Sequence, residues 1–497
     1  MNNFKGVKLL TVLLLLFLFT NASHEGVTFS LTPACMDAAQ QISQLKLRSA
    51  SDLLEKEKST HPYNAAIDYL ENFVDFYSLI TSQDIAELKL LEKNKARRLE
   101  KLNHLPLNNP YKMYAQAEVN LQWAFSRVFQ GEFMNAAFEF RAAYRLLDEN
   151  SKRFPSFSHN QKDLGMLLAL FGTIPENFQW ILKIVGVKGN LKEGLKKLRN
   201  YVDQPLPGRE FILEKQTGEY YYTFLQLNFG DKEECWKFCD RVTADYRQNL
   251  LSAYLRIFTA IKTAHNDDAI ACILSKPAGN EFTSFPILDY YCGVAFLNQL
   301  NPNAPLFLKK FVTFSKGQNL IKEAYKRLSW YYLISGESER ARVYRKMIKK
   351  YGATVSNEDK LALREAESDV IPDVTLLKAR LLCDGGYFYK AEESLLGTTA
   401  TSFSNPDFKA EYFYRLGRIN QEQKKFQKAI DYYTQVFTIS PGNPYFSTAS
   451  SLQLGVIYEK FGNRDQAKKY YDMALKNNFQ FGMNQQAKAG LARISKD

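Results

Sequence analysis

The chain is poor in the residues that build chemical sites. Its 497 residues include six cysteines, five histidines and four tryptophans. Six cysteines are too few for a disulfide framework at this length, and no Cys-x-x-Cys occurs. Cys235 and Cys239 stand four apart, on one face of a helix, but His24, His61, His104, His159 and His265 are dispersed and supply no further ligands. No metal site is therefore expected. There is no Gly-x-Ser-x-Gly, no His-Glu-x-x-His and no P-loop. Gly186-Val-Lys-Gly-Asn190 is rich in glycine but reads as a tight connection between helices, not as a strand-to-helix phosphate loop. Glu392-Glu393 reads as an ordinary solvated helix face. No catalytic residue and no cofactor are expected, and the chain is read as a non-enzyme.

Charge of one sign is not segregated into an arm. Lysine and arginine number 65 against 53 acids, a formal net charge of +12. The run from Glu87 to Lys101 mixes both signs along an amphipathic helix face, and nothing resembles a nucleic-acid-binding motif. The balance permits an acidic partner or an anionic membrane surface. β-alternation is nearly absent, no low-complexity linker divides the chain, and after Thr20 no apolar run approaches the ~18 residues of a membrane span.

One short apolar run is present. Lys5 and Lys8 precede Leu9–Thr20, which is followed by Asn21-Ala-Ser23. This is the layout of a secretory signal peptide. As a helix the run spans only about 18 Å, short of a bilayer core. Cleavage after Ala22 is expected, leaving Ser23 first and a net charge of +10, because Lys5 and Lys8 leave with the segment. The alternative is an uncleaved anchor. Cys35 lies too far beyond the run for lipidation to be favoured. The protein is expected to be exported, periplasmic or envelope-associated in a bacterium and otherwise in the secretory pathway.

What remains reads as helix after helix, with apolar positions recurring at three and four. The hydrophobic share is 45% and the aromatic share 14%, enough to fill the gaps between stacked helices. Breaks carry Gly, Pro, Asn or Ser, as at Asn108-Asn-Pro110, Pro205-Leu-Pro-Gly208, Asn301-Pro-Asn303 and Ser440-Pro-Gly-Asn-Pro444.

A repeat is visible at the C-terminal end. Leu416-Gly417 is followed by Ala429, Tyr433, Val436 and Pro441, and the pattern returns as Leu454-Gly455, Ala467, Tyr471 and Ala474 with an offset of 38. Small residues that suit the same slot recur upstream at Ala136, Cys235, Ala269, Ala341 and Ala391, with Gly131, Gly230, Gly336, Gly386 and Gly462 before the second helices. A small residue at the Leu-Gly step lets two helices touch, and alanine in the second helix meets it. The spacing resembles the tetratricopeptide repeat. The resemblance implies an all-α solenoid of helix pairs, regular at the C-terminal end and degenerate before it. It also makes Cys235 and Cys239 core fillers.

The chain divides in this reading into a signal segment (1–22), an N-terminal helical segment (23–108), degenerate repeats (109–320), tetratricopeptide-like repeats (321–480, best units 410–443 and 448–481) and a C-terminal capping helix (481–497). A second likeness rests on 164–198, where Leu164-Gly-Met-Leu-Leu-Ala-Leu-Phe-Gly-Thr-Ile-Pro175 leads to Ile181-Leu-Lys-Ile-Val-Gly-Val-Lys-Gly189. This block resembles the inclusion body clearance / tetratricopeptide repeat protein 39 family. That resemblance implies a helical adaptor linked to lipid droplets and protein inclusions, although the signal-like N-terminus departs from it.

Tetratricopeptide arrays bind along the concave face lined by the first helix of each pair. Carried onto matching positions, the inward residues are Glu323, Lys326, Trp330 and Leu333, then Asp373, Leu376, Arg380 and Cys383, then Glu411, Tyr414, Arg418 and Gln421. Of these, Lys326, Trp330, Arg380, Tyr414, Arg418 and Gln421 are the expected partner-binding set, with an exposed indole among cations holding an acidic or apolar-acidic peptide. The expected function is a protein-interaction scaffold. The alternatives are a membrane-surface adaptor using the basic charge and an accessory protein of an enzyme. No nucleic-acid partner is expected.

Overall fold

In a computed structural model of the chain, residues 26–174, 178–205, 208–368, 370–439, 444–476 and 482–495 are described. The segment expected to direct export, 1–22, lies outside them, as do the ends of both best repeat units at 441–443 and 477–481. Among the described residues the regular structure is helical, apart from one isolated bridge between Thr28 and Asn64.

The helices form because apolar residues keep a helical period and polar caps stop the frayed ends. Asn64, Asp84, Asn190, Asp231, Asn249, Ser356, Asp373 and Asn405 each accept a hydrogen bond from a first-turn backbone N–H. Short loops then fold successive helices against one another. Tyr111–Phe129 packs on Phe133–Arg153, Ile321–Ile334 on Ser338–Lys350, Pro406–Glu422 on Phe426–Ile439, and Pro444–Lys460 on Arg464–Lys476. This is the tetratricopeptide-like helical solenoid expected from the spacing.

The small-residue slots lie at the contacts. Ala136, Cys235, Ala269, Ala341, Ala391, Ala429 and Ala467 are all buried. A unit that the sequence left open between Ala269 and Ala341 is the pair Pro286–Asn298 and Ala304–Phe314, in which Ala304 fills the slot. The Leu-Gly step has a steric reason. A Cβ on Gly417 would lie 2.6 Å from the Tyr433 ring, and one on Gly455 would lie 2.5 Å from the Tyr471 ring. The same tyrosines reach back through their hydroxyls, Tyr433 to Gln421 at 2.7 Å and Tyr471 to Glu459 at 2.5 Å.

The 164–198 block owes its glycines to close approach as well. A Cβ on Gly189 would lie 1.8 Å from the Gly172 nitrogen, and one on Gly194 would lie 2.4 Å from the Ala169 nitrogen. Helices His159–Gly172 and Leu191–Val202 therefore meet nearly backbone to backbone.

Two features were not anticipated. One buried apolar cluster takes in residues from Cys35 to Leu381 and Ala489, and so crosses residues 108 and 320 where segments were divided. An additional helix, Asn357–Glu367, is inserted between the pair ending at Lys350 and the pair beginning at Val374. It accounts for the wider gap between Ala341 and Ala391. The C-terminal helix Met483–Ile494 packs on the last pair and also touches Ile212–Phe229 and Leu191–Val202. Arg493 holds Glu459 with two hydrogen bonds, of 2.7 and 2.8 Å, and donates to the carbonyl of Phe229. The end of the solenoid thus returns to its first half.

Candidate interaction surface

The first helices of three units carry the expected set. On Ile321–Ile334, Trp330 is 1% exposed, so the expectation of an open indole is corrected. The inserted helix covers it: Trp330 Nε1 donates to Glu365 Oε1 at 2.6 Å. Cations enclose the ring. Lys326 Nζ lies 4.6 Å from its centroid, and the guanidinium carbons of Arg380 and Arg327 lie 4.7 Å and 5.1 Å away. These contacts are favourable because the indole face is electron-rich.

Glu323 balances that charge. It is buried, forms ion pairs with Lys326 at 2.5 Å and Arg327 at 2.9 Å, and stays below the ordinary glutamate range through those neighbours even though burial pushes the other way. Lys326, Trp330 and Arg380 therefore come together in one cluster, but Lys326 and Trp330 are sealed inside it.

Arg380 and Arg418 keep open faces, with side chains 27% and 22% exposed. Each leans on an acid one turn ahead: Arg380 Nε to Asp384 at 3.8 Å, and Arg418 Nη2 to Glu422 at 3.0 Å. Tyr414 is buried, with its ring 5.9 Å from Tyr433 and 5.7 Å from Phe446. Gln421 is committed within the repeat, accepting from Tyr433 and donating to Gln453 Oε1 at 3.0 Å. Of the other inward positions, Leu376 and Cys383 are core residues, and Leu333, Asp373 and Glu411 are half-buried.

The structure adds a residue that the sequence did not single out. Lys232 opens the helix Lys232–Val242, where the helix dipole already disfavours a cation. Water reaches its side chain, yet surrounding protein pushes its ammonium below the ordinary lysine value. Arg418 and Lys262 add to that shift, while Glu422 and Asp384 oppose it. The charge of Arg418 thus acts on Lys232 although the two are 186 residues apart in sequence. Lys232 has no ion-pair partner among the described residues. No local signal reveals this, since the effect depends on how far the solenoid turns between the two helices.

A second charged cluster is sealed. Lys162 donates to Glu118 Oε1 at 2.6 Å and to Asp163 Oδ1 at 2.5 Å, and its ammonium lies 5.3 Å from the Tyr221 ring centroid. All three charged residues are at most 1% exposed. Nearby, burial raises the Glu214 carboxyl to about 7 and lowers His159 to about 4. Such shifts mark active sites when they line a cleft. Here the groups are core, and their hydrogen bonds tie helices in pairs: Lys162 joins His159–Gly172 to Tyr111–Phe129, His159 joins it to Leu191–Val202 through Tyr201, and Tyr69 joins Ala65–Ser82 to Ile212–Phe229 through Glu214. The six cysteines are free and buried. Among the described residues no group of three or more His, Cys, Asp or Glu could hold a metal ion, and no helix is long and apolar enough to cross a membrane.

Two tetratricopeptide-repeat family models match the chain, over residues 410–443 and 449–478. Both matches lie outside 164–198, so the likeness to the inclusion body clearance family has no match behind it. No curated protein matches the chain. Among solved structures it is similar to a chain in the crystal structure of the APC/C hetero-tetramer Cut9-Hcn1, with 14% identity over 91% of this chain and 89% of that one, and a TM-score of 0.27.

Proposed function

We propose that this tetratricopeptide-repeat protein is a non-catalytic scaffold that holds an extended acidic or apolar-acidic segment of a protein partner against the inner helices of its solenoid. The observation that carries the reading is the group of cations facing the interior from distant repeats. Arg380 and Arg418 have partly exposed side chains, and Lys232, whose ammonium is influenced by the charge of Arg418, has no ion pair among the described residues. A carboxylate placed between them would supply the missing counter-charge, with bidentate geometry available from either arginine. Trp330 serves this surface from beneath, by fixing Arg380 over its ring.

The reading also takes the apolar run Leu9–Thr20 as an export signal, so the partner is sought in an exported fraction. The test is capture of partners from that fraction by the native protein and by an Arg380→Glu/Arg418→Glu variant, read by mass spectrometry and then by titration of the captured partner. The variant should weaken the partner about tenfold or more, since two central cations become anions. A partner that binds the variant as tightly as the native protein refutes the concave-face assignment.

A further inference from the structure

The net charge is concentrated in one place. Residues 304–351 contain twelve lysines and arginines against three glutamates, a net of +9 within a chain whose total is +12. Part of that charge is internal, in the Trp330 cluster. Lys322 is buried and Lys316 lies in a loop; the other eight stand on the second helices of two successive pairs, Ala304–Phe314 and Ser338–Lys350, and all of them but the half-buried Arg345 are exposed.

Each helix presents one stripe. On Ser338–Lys350 the exposed positions Arg342, Val343, Lys346, Lys349 and Lys350 follow a spacing of three and four. Arg342 is paired with Glu339, but Lys346, Lys349 and Lys350 have no acidic partner among the described residues. On Ala304–Phe314 the stripe is Leu306, Lys309, Lys310 and Phe314. Lys309 Nζ lies 5.4 Å from the Tyr332 ring centroid, and that ring stacks at 5.3 Å on Tyr344 of the helix Ser338–Lys350, so the two second helices are linked through the tyrosine pair.

Large apolar side chains stand among these cations. Leu306 and Phe314 are each 64% exposed and Val343 is 50% exposed. Isolated exposed apolar residues are ordinary. Apolar and basic side chains alternating on two linked helices are the chemistry of the boundary between lipid headgroups and acyl chains. There the apolar groups enter hydrocarbon while lysine stems extend to the headgroups. A nucleic acid or an acidic protein would satisfy the lysines but leave Leu306, Phe314 and Val343 without a complementary surface.

We infer that the outer face formed by Ala304–Phe314 and Ser338–Lys350 docks peripherally on an anionic membrane surface. This face belongs to the second helices of its pairs and is separate from Arg380 and Arg418, so it stands or falls independently of the scaffold reading. The test is co-sedimentation of the full chain with vesicles of phosphatidylcholine alone and with phosphatidylserine added, at low and raised salt. Lys5 and Lys8 beside the apolar run Leu9–Thr20 also favour anionic vesicles, so the quantity read is the ratio between the vesicle types for each variant relative to the native chain. The native chain should favour the anionic vesicles, and salt should reduce the preference.

A Lys346→Gln/Lys349→Gln/Lys350→Gln variant should lose about 100-fold of that preference, each lysine contributing roughly fivefold. A Leu306→Ser/Phe314→Ser variant should bind anionic vesicles more weakly while keeping the salt dependence. Circular dichroism checks that both variants remain folded. Equal binding to the two vesicle types overturns the inference, as does a triple variant that partitions like the native chain. Binding of short duplex DNA that depends on the same lysines, with no preference for anionic vesicles, overturns it as well.

Discussion

Replacing Glu214 with glutamine should change how stability depends on pH, with a sign and size that the structure dictates. Glu214 is 2% exposed and accepts a 2.7 Å hydrogen bond from the Tyr69 hydroxyl. Burial is the largest influence on it, and the Tyr69 bond and Lys162 only partly offset that, so the carboxyl rises from 4.5 to about 7. Between those values the folded chain keeps a proton that the unfolded chain has released. Stability therefore falls as pH rises through this window. The penalty is absent below 4.5 and complete above 7.

A shift of this size corresponds to on the order of 3 kcal/mol. The Glu214→Gln variant has no proton to lose and keeps an oxygen for Tyr69. The unfolding free energy of variant and native chain, measured in urea by circular dichroism from pH 4.5 to above 7, gives the comparison. The difference, variant minus native, should climb by about 3 kcal/mol across the window. The comparison is needed because His159 acts in the opposite sense. Burial lowers it from 6.5 to about 4, so the unfolded chain takes up that proton first and stability is lost as pH falls through 6.5. The two slopes overlap and mask one another in the native curve. A flat or falling difference would refute the assignment of Glu214 as a buried, protonated carboxyl.

Two further outcomes follow from packing. Gly455→Ala should destabilise the last repeats by about 1–3 kcal/mol. Its Cβ would meet the Tyr471 ring at 2.5 Å, and that ring is held from its other side by Gly490, so an unchanged unfolding midpoint would contradict the close contact. Arg493→Ala should speed hydrogen exchange across Met483–Ile494, because the side chain ties that helix both to Glu459 and to the Phe229 carbonyl. Exchange no faster than in the native chain would mean that helix packing alone holds the closure.

The helix pairs were legible because their determinants are local. Leu-Gly steps and alanine slots recur at similar offsets, and each acts on residues within one pair. The close approach at Gly417 and Gly455 could be placed from spacing, as could the burial of Cys235 and Cys239, but the groups that a Cβ would meet there are the rings of Tyr433 and Tyr471 and not the alanines expected. The inserted helix Asn357–Glu367 was not legible, because it interrupts the period rather than repeating it. That omission is why Trp330 was expected in the open when Glu365 covers it.

The same reasoning places the candidate sites. Sequence by itself determined an all-α chain of stacked helix pairs and the faces on which Arg380 and Arg418 stand, since both follow from a period of three and four within single helices. Only the tertiary structure decided that the charge of Arg418 acts on Lys232, that the last helix returns to Phe229, and that Lys309, Tyr332 and Tyr344 link two basic helices. The first two relations join residues more than 180 apart, through small rotations accumulated from pair to pair. The third depends on how one pair seats on the next, and a repeat period specifies neither.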